Sequence, residues 1–151
     1  MPESAFSRGY ILAFDFGLSR IGIAVGQFTT STASSLETVT HGKKPDWQAI
    51  DRLVREWKPT GLLVGLPLGP DGEETEMCRT ARKFGLQLQQ RYSLPVRYAD
   101  ERLSSRAAEG RFAALRAGGN LRKKHVRSLD AAAAKIILEN WLQSGPEEMA
   151  T

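Results

Sequence analysis

The apolar positions of this chain change period along its length, and each change marks an element. Tyr10-Ile11-Leu12-Ala13-Phe14 is a continuous apolar run, and a second run follows from Ile21 to Val25. Gly17 and Ser19 between them supply turn chemistry, so the two runs are predicted to form a β-hairpin. A turn centred on Leu18-Ser19 sets Asp15 opposite Gly22 and Ala13 opposite Ala24. Side chains alternate across a strand, so these four share one face, and Leu12, Phe14, Ile23 and Val25 share the other. The Ser/Thr-rich stretch Phe28 to Thr40 is predicted to hold a third, antiparallel strand around Ser34–Val39.

Beyond it the period becomes helical. Trp47, Ile50, Leu53, Val54 and Trp57 form a stripe between a capping Asp46 and a stopping Pro59. Those tryptophans are expected in the core rather than as a base-stacking platform. Gly61 to Leu66 is continuously apolar, as a buried parallel strand is, and ends in the turn-rich PLGPDG. A helix over Glu73–Arg91 and a strand over Pro95–Ala99 follow. Next come a helix from Ser104 or Ser105 to Ala117, a basic loop over Leu121–Arg127 and a last helix, capped by Ser128, to Gln143. The order β-β-β-α-β-α-β-α-α predicts an α/β fold, a mixed sheet with helices on its faces. One domain over residues 9–144 is expected, with flexible tails at 1–8 and 145–151.

Composition narrows the class. At 151 residues, with 41% apolar and 25% charged side chains, the chain has the make-up of a soluble globular domain. It has no apolar run near the roughly 18 residues of a membrane span and no signal-peptide core, so a cytoplasmic protein without a membrane partner is expected. Cys78 is the single cysteine, and His41 and His125 lie far apart. A metal would therefore be held by carboxylates, which favours Mg²⁺ or Mn²⁺ over Zn²⁺. The net charge of +4 is uneven. Arg102 to Arg127 holds eight basic residues against Glu109 alone, giving +7 there and −3 over the rest. Such a segment is either a solvated helix face and loop or a contact for a polyanion.

Three acids stand out. Asp15 closes an apolar run, where a dry, unpaired charge costs several kcal/mol; a turn-capping role is the plain alternative. Asp130 shares a helical face with Ala133, Ala134, Ile137 and Trp141. As a first-turn acid it would gain only about 0.3–1 kcal/mol from the helix dipole. The alanines let this helix lie close to a sheet, and the face of Ala13, Gly22 and Ala24 offers matching clearance, which would bring Asp130 beside Asp15. Asp100-Glu101 ends a strand, where open α/β sheets place their sites, unless it is a solvent-facing pair bridged to Arg102. Three converging carboxylates raise at least one pKa unless cations intervene. Two divalent ions roughly 4 Å apart can promote cleavage of a phosphodiester, and the basic segment, tethered between Glu101 and Asp130, can hold flanking phosphates.

Four ordered motifs carry a resemblance. They are Phe14-Asp15-Phe16-Gly17 through Arg20-Ile21-Gly22-Ile23-Ala24; Val64-Gly65-Leu66-Pro67 with Asp71-Gly72; Asp100-Glu101-Arg102-Leu103-Ser104; and Lys124 with Ser128-Leu129-Asp130, Ala132-Ala133 and Ile136-Ile137-Leu138. Over about Ile11 to Leu142 the chain resembles the YqgF family, also called RuvX. These are bacterial RNase H-like proteins described as Holliday junction resolvases and as nucleases for the 5′ end of precursor 16S ribosomal RNA. The resemblance implies an RNase H-like five-stranded sheet of order 3-2-1-4-5, with strand 2 antiparallel and helices on both faces. It also implies a carboxylate site at Asp15, Glu101 and Asp130. In RuvC-type resolvases, a more distant likeness, the second acid follows the fourth strand, where this chain has Gly65-Leu66-Pro67.

The expected function is a metal-dependent nuclease on structured nucleic acid, with Asp15, Glu101 and Asp130 holding two Mg²⁺ or Mn²⁺ ions. Arg20, Arg102, Arg122, Lys123, Lys124 and Arg127 are the expected phosphate contacts. Precursor rRNA is the first expected substrate and branched DNA the second, with ribosomal particles as further partners and a monomer or weak homodimer as the working unit. Two other classes compete: a non-catalytic nucleic-acid-binding module, and an actin-like or sugar-kinase-like ATPase, which needs a second domain and about twice the length.

Overall fold

The computed structural model describes Phe6, residues 8–101 and residues 123–144, with side chains in the last stretch described for 131–143. Five strands, β1 (Ile11–Phe16), β2 (Arg20–Gln27), β3 (Thr32–Thr40), β4 (Gly61–Leu66) and β5 (Val96–Asp100), form one sheet in the order β3-β2-β1-β4-β5. The first three are antiparallel neighbours, whereas β4 runs parallel to β1 and β5 parallel to β4. The hairpin register places Asp15 opposite Gly22 and Ala13 opposite Ala24, as the turn chemistry predicts. Gly17 makes that turn possible: its N–H donates to the Arg20 carbonyl at 2.9 Å, and a Cβ there would stand 2.7 Å from the same oxygen.

Three helices are described: α1 (Trp47–Trp57), α2 (Glu76–Tyr92) and α3 (Lys123–Ser144). The Asp46 carboxylate accepts the Ala49 N–H and caps α1, and Lys58 ends it in the left-handed conformation just before Pro59. Helix α2 starts three residues later than its apolar pattern predicts, because Glu73 is engaged in the preceding turn. The Glu73 carbonyl accepts the Gly69 N–H and its carboxylate accepts the Asp71 N–H, leaving Thr75 to cap the helix.

Helix α3 departs further from expectation. It begins at Lys123, so Lys123 to Arg127, predicted as loop, are helical and Ser128 lies inside the helix rather than capping it. Lys and Arg are good helix formers, and no Gly or Pro after Asn120 interrupts them. The helix predicted over residues 104–117 and the tail 145–151 lie outside the described residues.

Hydrophobic burial divides the sheet into two faces. On one, Leu12, Phe14, Phe16, Ile21, Ile23 and Val25 pack with Val64 against Ile50 and Leu53 of α1 and Phe84 and Leu88 of α2. Trp47 and Trp57 pack against this core, Trp47 stacking on Phe84 and Trp57 meeting Tyr10 edge-on, as core residues do. On the other, α3 lies across β1, β2 and β3. Ile137, Leu138, Trp141 and Leu142 cover Ile11, Ala13 and Leu63 there. Phe6 falls within the segment expected to be a loose tail. It is fully buried, its ring edge-on to Trp141 at 5.5 Å and beneath the Arg97 guanidinium at 5.2 Å.

Candidate active site

Asp15 and Glu101 arrive at the same end of the sheet from strands that are not neighbours. Asp15 is the penultimate residue of β1 and half-buried. Glu101 follows β5, and its N–H donates to the Leu66 carbonyl at 3.0 Å, which carries the parallel register one step past the strand. Strand β4 lies between them, so their backbones are two strand spacings, about 10 Å, apart. The residue of β4 under that gap is Gly65. A Cβ there would lie 2.8 Å from Glu101 Cγ and 3.0 Å from Ile137 Cδ1. Lacking one, Gly65 lets the longer acid lie across β4 and form a hydrogen bond with the Asp15 carboxylate.

This placement changes the acid's proton affinity. Burial pushes the Glu101 carboxyl far above the ordinary carboxylic range, and the hydrogen bond to Asp15 and its negative charge add to the push. The two carboxyl groups therefore titrate as a pair, with Glu101 the one whose charged form is disfavoured. A cation seated between the two would replace a proton held there, because it removes the repulsion that retains it. Hard oxygen donors suit Mg²⁺ or Mn²⁺, so the residues present fit such an ion. Among the described residues no group of three or more acidic, Cys or His side chains meets.

The turn beside Asp15 is held from β3. The His41 N–H donates to the Ser19 carbonyl at 2.8 Å, and His41 Nδ1 donates to the Gly17 carbonyl at 2.9 Å. The imidazole also packs on Phe16 at 4.8 Å. Sequence reading gave His41 no part here; only its place one residue beyond β3, opposite the hairpin turn, would have signalled it.

The other expected residues are distributed as follows. Arg20 opens β2 at the hairpin tip, exposed and at the same sheet end as Asp15. Asp130 belongs to α3, two helical turns, about 10 Å, before the Ile137 that meets Gly65. The side chains of Asp130, Lys123, Lys124 and Arg127 are outside the described set, as are Arg102 and Arg122 altogether.

A family model described as "RuvX: Holliday junction resolvase" matches residues 9–144. The chain belongs to the RuvX family. Similar proteins include one from Xylella fastidiosa (strain M23), 46% identical over 145 residues and spanning 94% of each chain. Another, from Hydrogenovibrio crunogenus, is 46% identical over 139 residues, 91% of this chain and 96% of the relative. Both carry the name "Putative pre-16S rRNA nuclease". Among solved structures, this RuvX chain is similar in fold to Thermus thermophilus RuvC in complex with Holliday junction substrate. The TM-score is 0.52 at 16% identity, over 95% of this chain and 99% of that one. A second structure of that RuvC gives 0.50, also at 16% identity, over 93% and 98%. The RNase H-like sheet order implied by the resemblance is the order observed.

Proposed function

We propose that this RuvX chain is a divalent-metal-dependent phosphodiester hydrolase that trims structured RNA, its substrate being the 5′ end of precursor 16S rRNA. The observation that carries the reading is the Asp15–Glu101 carboxyl pair, closed over Gly65 at the carboxyl end of the sheet. Two carboxyl groups brought together this closely, one of them buried, repel unless a cation or a proton lies between them, and a divalent ion is the partner that suits paired hard oxygens. The names of relatives 46% identical along nearly the whole chain supply the substrate.

In this reading Asp15, Glu101 and Asp130 would hold two Mg²⁺ or Mn²⁺ ions between them. Bound there, the ions would activate the attacking water and stabilise the leaving oxygen. The protein's own part is positional. Gly65 gives Glu101 its path, His41 fixes the turn that follows Asp15, and α3 carries Asp130 towards the same end of the sheet. Arg20, Arg102, Arg122, Lys123, Lys124 and Arg127 hold phosphates flanking the scissile one. The protein works in the cytoplasm, on ribosomal particles, as a monomer or weak homodimer.

The test is cleavage of precursor 16S rRNA with Mg²⁺ or Mn²⁺, wild type against Asp15→Asn. The expected result is specific 5′ cleavage by wild type and a loss of at least about 10³-fold in the variant, the scale of a lost charge-stabilising group. Equal activity in both rules the assignment out. A second reading, a resolvase of four-way DNA junctions, is favoured by the family description and the RuvC-like fold. Preferential cleavage of the junction in the same assay would select it, and metal-independent binding with no cleavage would select a non-catalytic module.

A further inference from the structure

Beside the carboxylate pair, the same sheet end presents a second feature that the catalytic reading does not use. Residues 41–45, between β3 and α1, form a closed loop. His41 and Pro45 pair in an isolated antiparallel bridge, Pro45 is buried, and the Asp46 N–H donates to the Thr40 carbonyl at 3.2 Å. Gly42, Lys43 and Lys44 are left projecting as an exposed tip. Neither lysine forms an ion pair among the described residues; the nearest acid in sequence, Asp46, is committed to capping α1. The two His41 hydrogen bonds fasten this tip to the hairpin turn that follows Asp15. At that turn Leu18 is 67% exposed, one of three large apolar side chains left in water among the described residues. Two cations are thus tied through His41 to the turn whose apolar knob, Leu18, stands three residues along the chain from Asp15.

We propose that Lys43, Lys44 and Leu18 form a ridge that grips the RNA strand beside the cleavage position, the lysines on backbone phosphates and Leu18 against a base or sugar. The ridge rests on the nuclease reading above and deepens it by placing substrate on the β2–β3 side of the site. A solvated lysine pair alone would carry little weight. Here both lysines sit on a loop closed by a bridge, anchored by a buried proline and tied to the active-site turn. Lysine meets phosphate as a point charge, and apolar side chains of this kind act as wedges at base steps.

The experiment uses the Asp15→Asn protein, expected to bind without cutting, and a precursor RNA spanning the mature 5′ end, titrated by fluorescence anisotropy over a salt series. Adding Lys43→Ala and Lys44→Ala is expected to raise Kd about tenfold. It is also expected to flatten the slope of log K against log salt by about 1.4–1.8, two phosphates at ~0.7–0.9 each. Adding Leu18→Ser instead should weaken binding with the slope unchanged, since no charge is lost. Parent-like Kd and slope in the lysine variant overturn the ridge, and so does weaker binding at an unchanged slope, which would place the lysines away from phosphate. Failure of the nuclease reading looks different: Asp15→Asn would then cleave like wild type, whatever the lysines do.

Discussion

The two faces of this sheet are built from opposite materials. The face under α1 and α2 is bulky. Phe14 meets Phe84 edge-on at 5.6 Å, Phe16 lies 4.8 Å from the same ring, and Trp47 stacks on it at 5.8 Å. The face under α3 is shallower. Beside Ile11 and Leu63 its positions are small, Ala13, Gly22, Ala24, Gly26 and Gly65, and the helix answers with Ala131 and Ala134, both buried. The bulky face buries area per residue, which is where stability comes from. The shallow face gives up area so that a helix can come close to a strand bearing a carboxylate. Stability and the proposed chemistry are thus separated by the thickness of one sheet, and mutations on the two sides should fail in different ways.

The largest expected effect is on the bulky side. Phe14→Ala deletes a fully buried ring and its edge-on partner contact. It should cost about 3–5 kcal/mol of unfolding free energy, measured by urea titration. A loss under about 1 kcal/mol would mean the faces do not divide the labour. Next comes Gly26→Ala on the shallow face, far from the carboxylates. Its Cβ would lie 2.5 Å from the Thr32 carbonyl oxygen and 2.9 Å from Leu138 Cδ2. The first obstacle is backbone, so β3 must yield, at about 1–3 kcal/mol. Catalysis per folded molecule should persist.

These faces were readable in the sequence to an unequal degree. The hairpin register followed from Gly17, Ser19 and the alternation of Leu12 and Phe14 with Ala13 and Asp15, because period 2 and turn chemistry are local properties. The strand Gly61–Leu66 was legible for the same reason. What local pattern did not reveal is contact between distant segments. Phe6 looked like part of a polar tail, and only Trp141 and Arg97 brought close in space explain its burial. His41 looked like a loop residue, and only the β2–β3 register sets it against the Gly17 turn. Gly65 looked like one more small residue in an apolar run. Its meaning, a passage for Glu101 across β4, needs β5 in place beside it. The start of α3 at Lys123 was missed because a run of charges was read as loop, although lysine and arginine favour helix.

Gly65→Ala sharpens the contrast with Gly26→Ala. Both add one methyl on the shallow face, but at Gly65 the obstacles are side-chain atoms, Glu101 Cγ at 2.8 Å and Ile137 Cδ1 at 3.0 Å. These can shift more readily than backbone, so the stability change should not exceed that of Gly26→Ala, about 1–3 kcal/mol. The displaced carboxyl, however, should cost about tenfold in cleavage rate, as small misplacements near chemistry do. Pairing the substitution with Glu101→Asp, which lacks the crowded methylene, should give a combined loss smaller than the product of the two single losses. Independent losses would show that Gly65 does not act through Glu101.

The smallest expected effect tests the outer seam of the bulky face. Arg91 of α2 donates to both oxygens of Asp51 on α1, at 2.9 and 2.8 Å, the Tyr92 hydroxyl donates to the same carboxylate, and the guanidinium lies 5.0 Å above Trp47. The hydrogen bonds from Arg91, then Tyr92, hold Asp51 down at about 2 against the opposing effect of burial. A carboxylate whose folded pKa is depressed stabilises the fold at all pH above its unfolded value. That contribution disappears as pH falls from about 4 towards about 2. Asp51→Asn should therefore be slightly less stable than wild type at neutral pH, the two curves should converge over that acid window, and cleavage should be unaffected. Solvent around the exposed guanidinium screens the pair, so the neutral-pH difference should be far below that of Phe14→Ala. If it rivalled Phe14→Ala, the helices rather than the aromatic core would be holding the bulky face together.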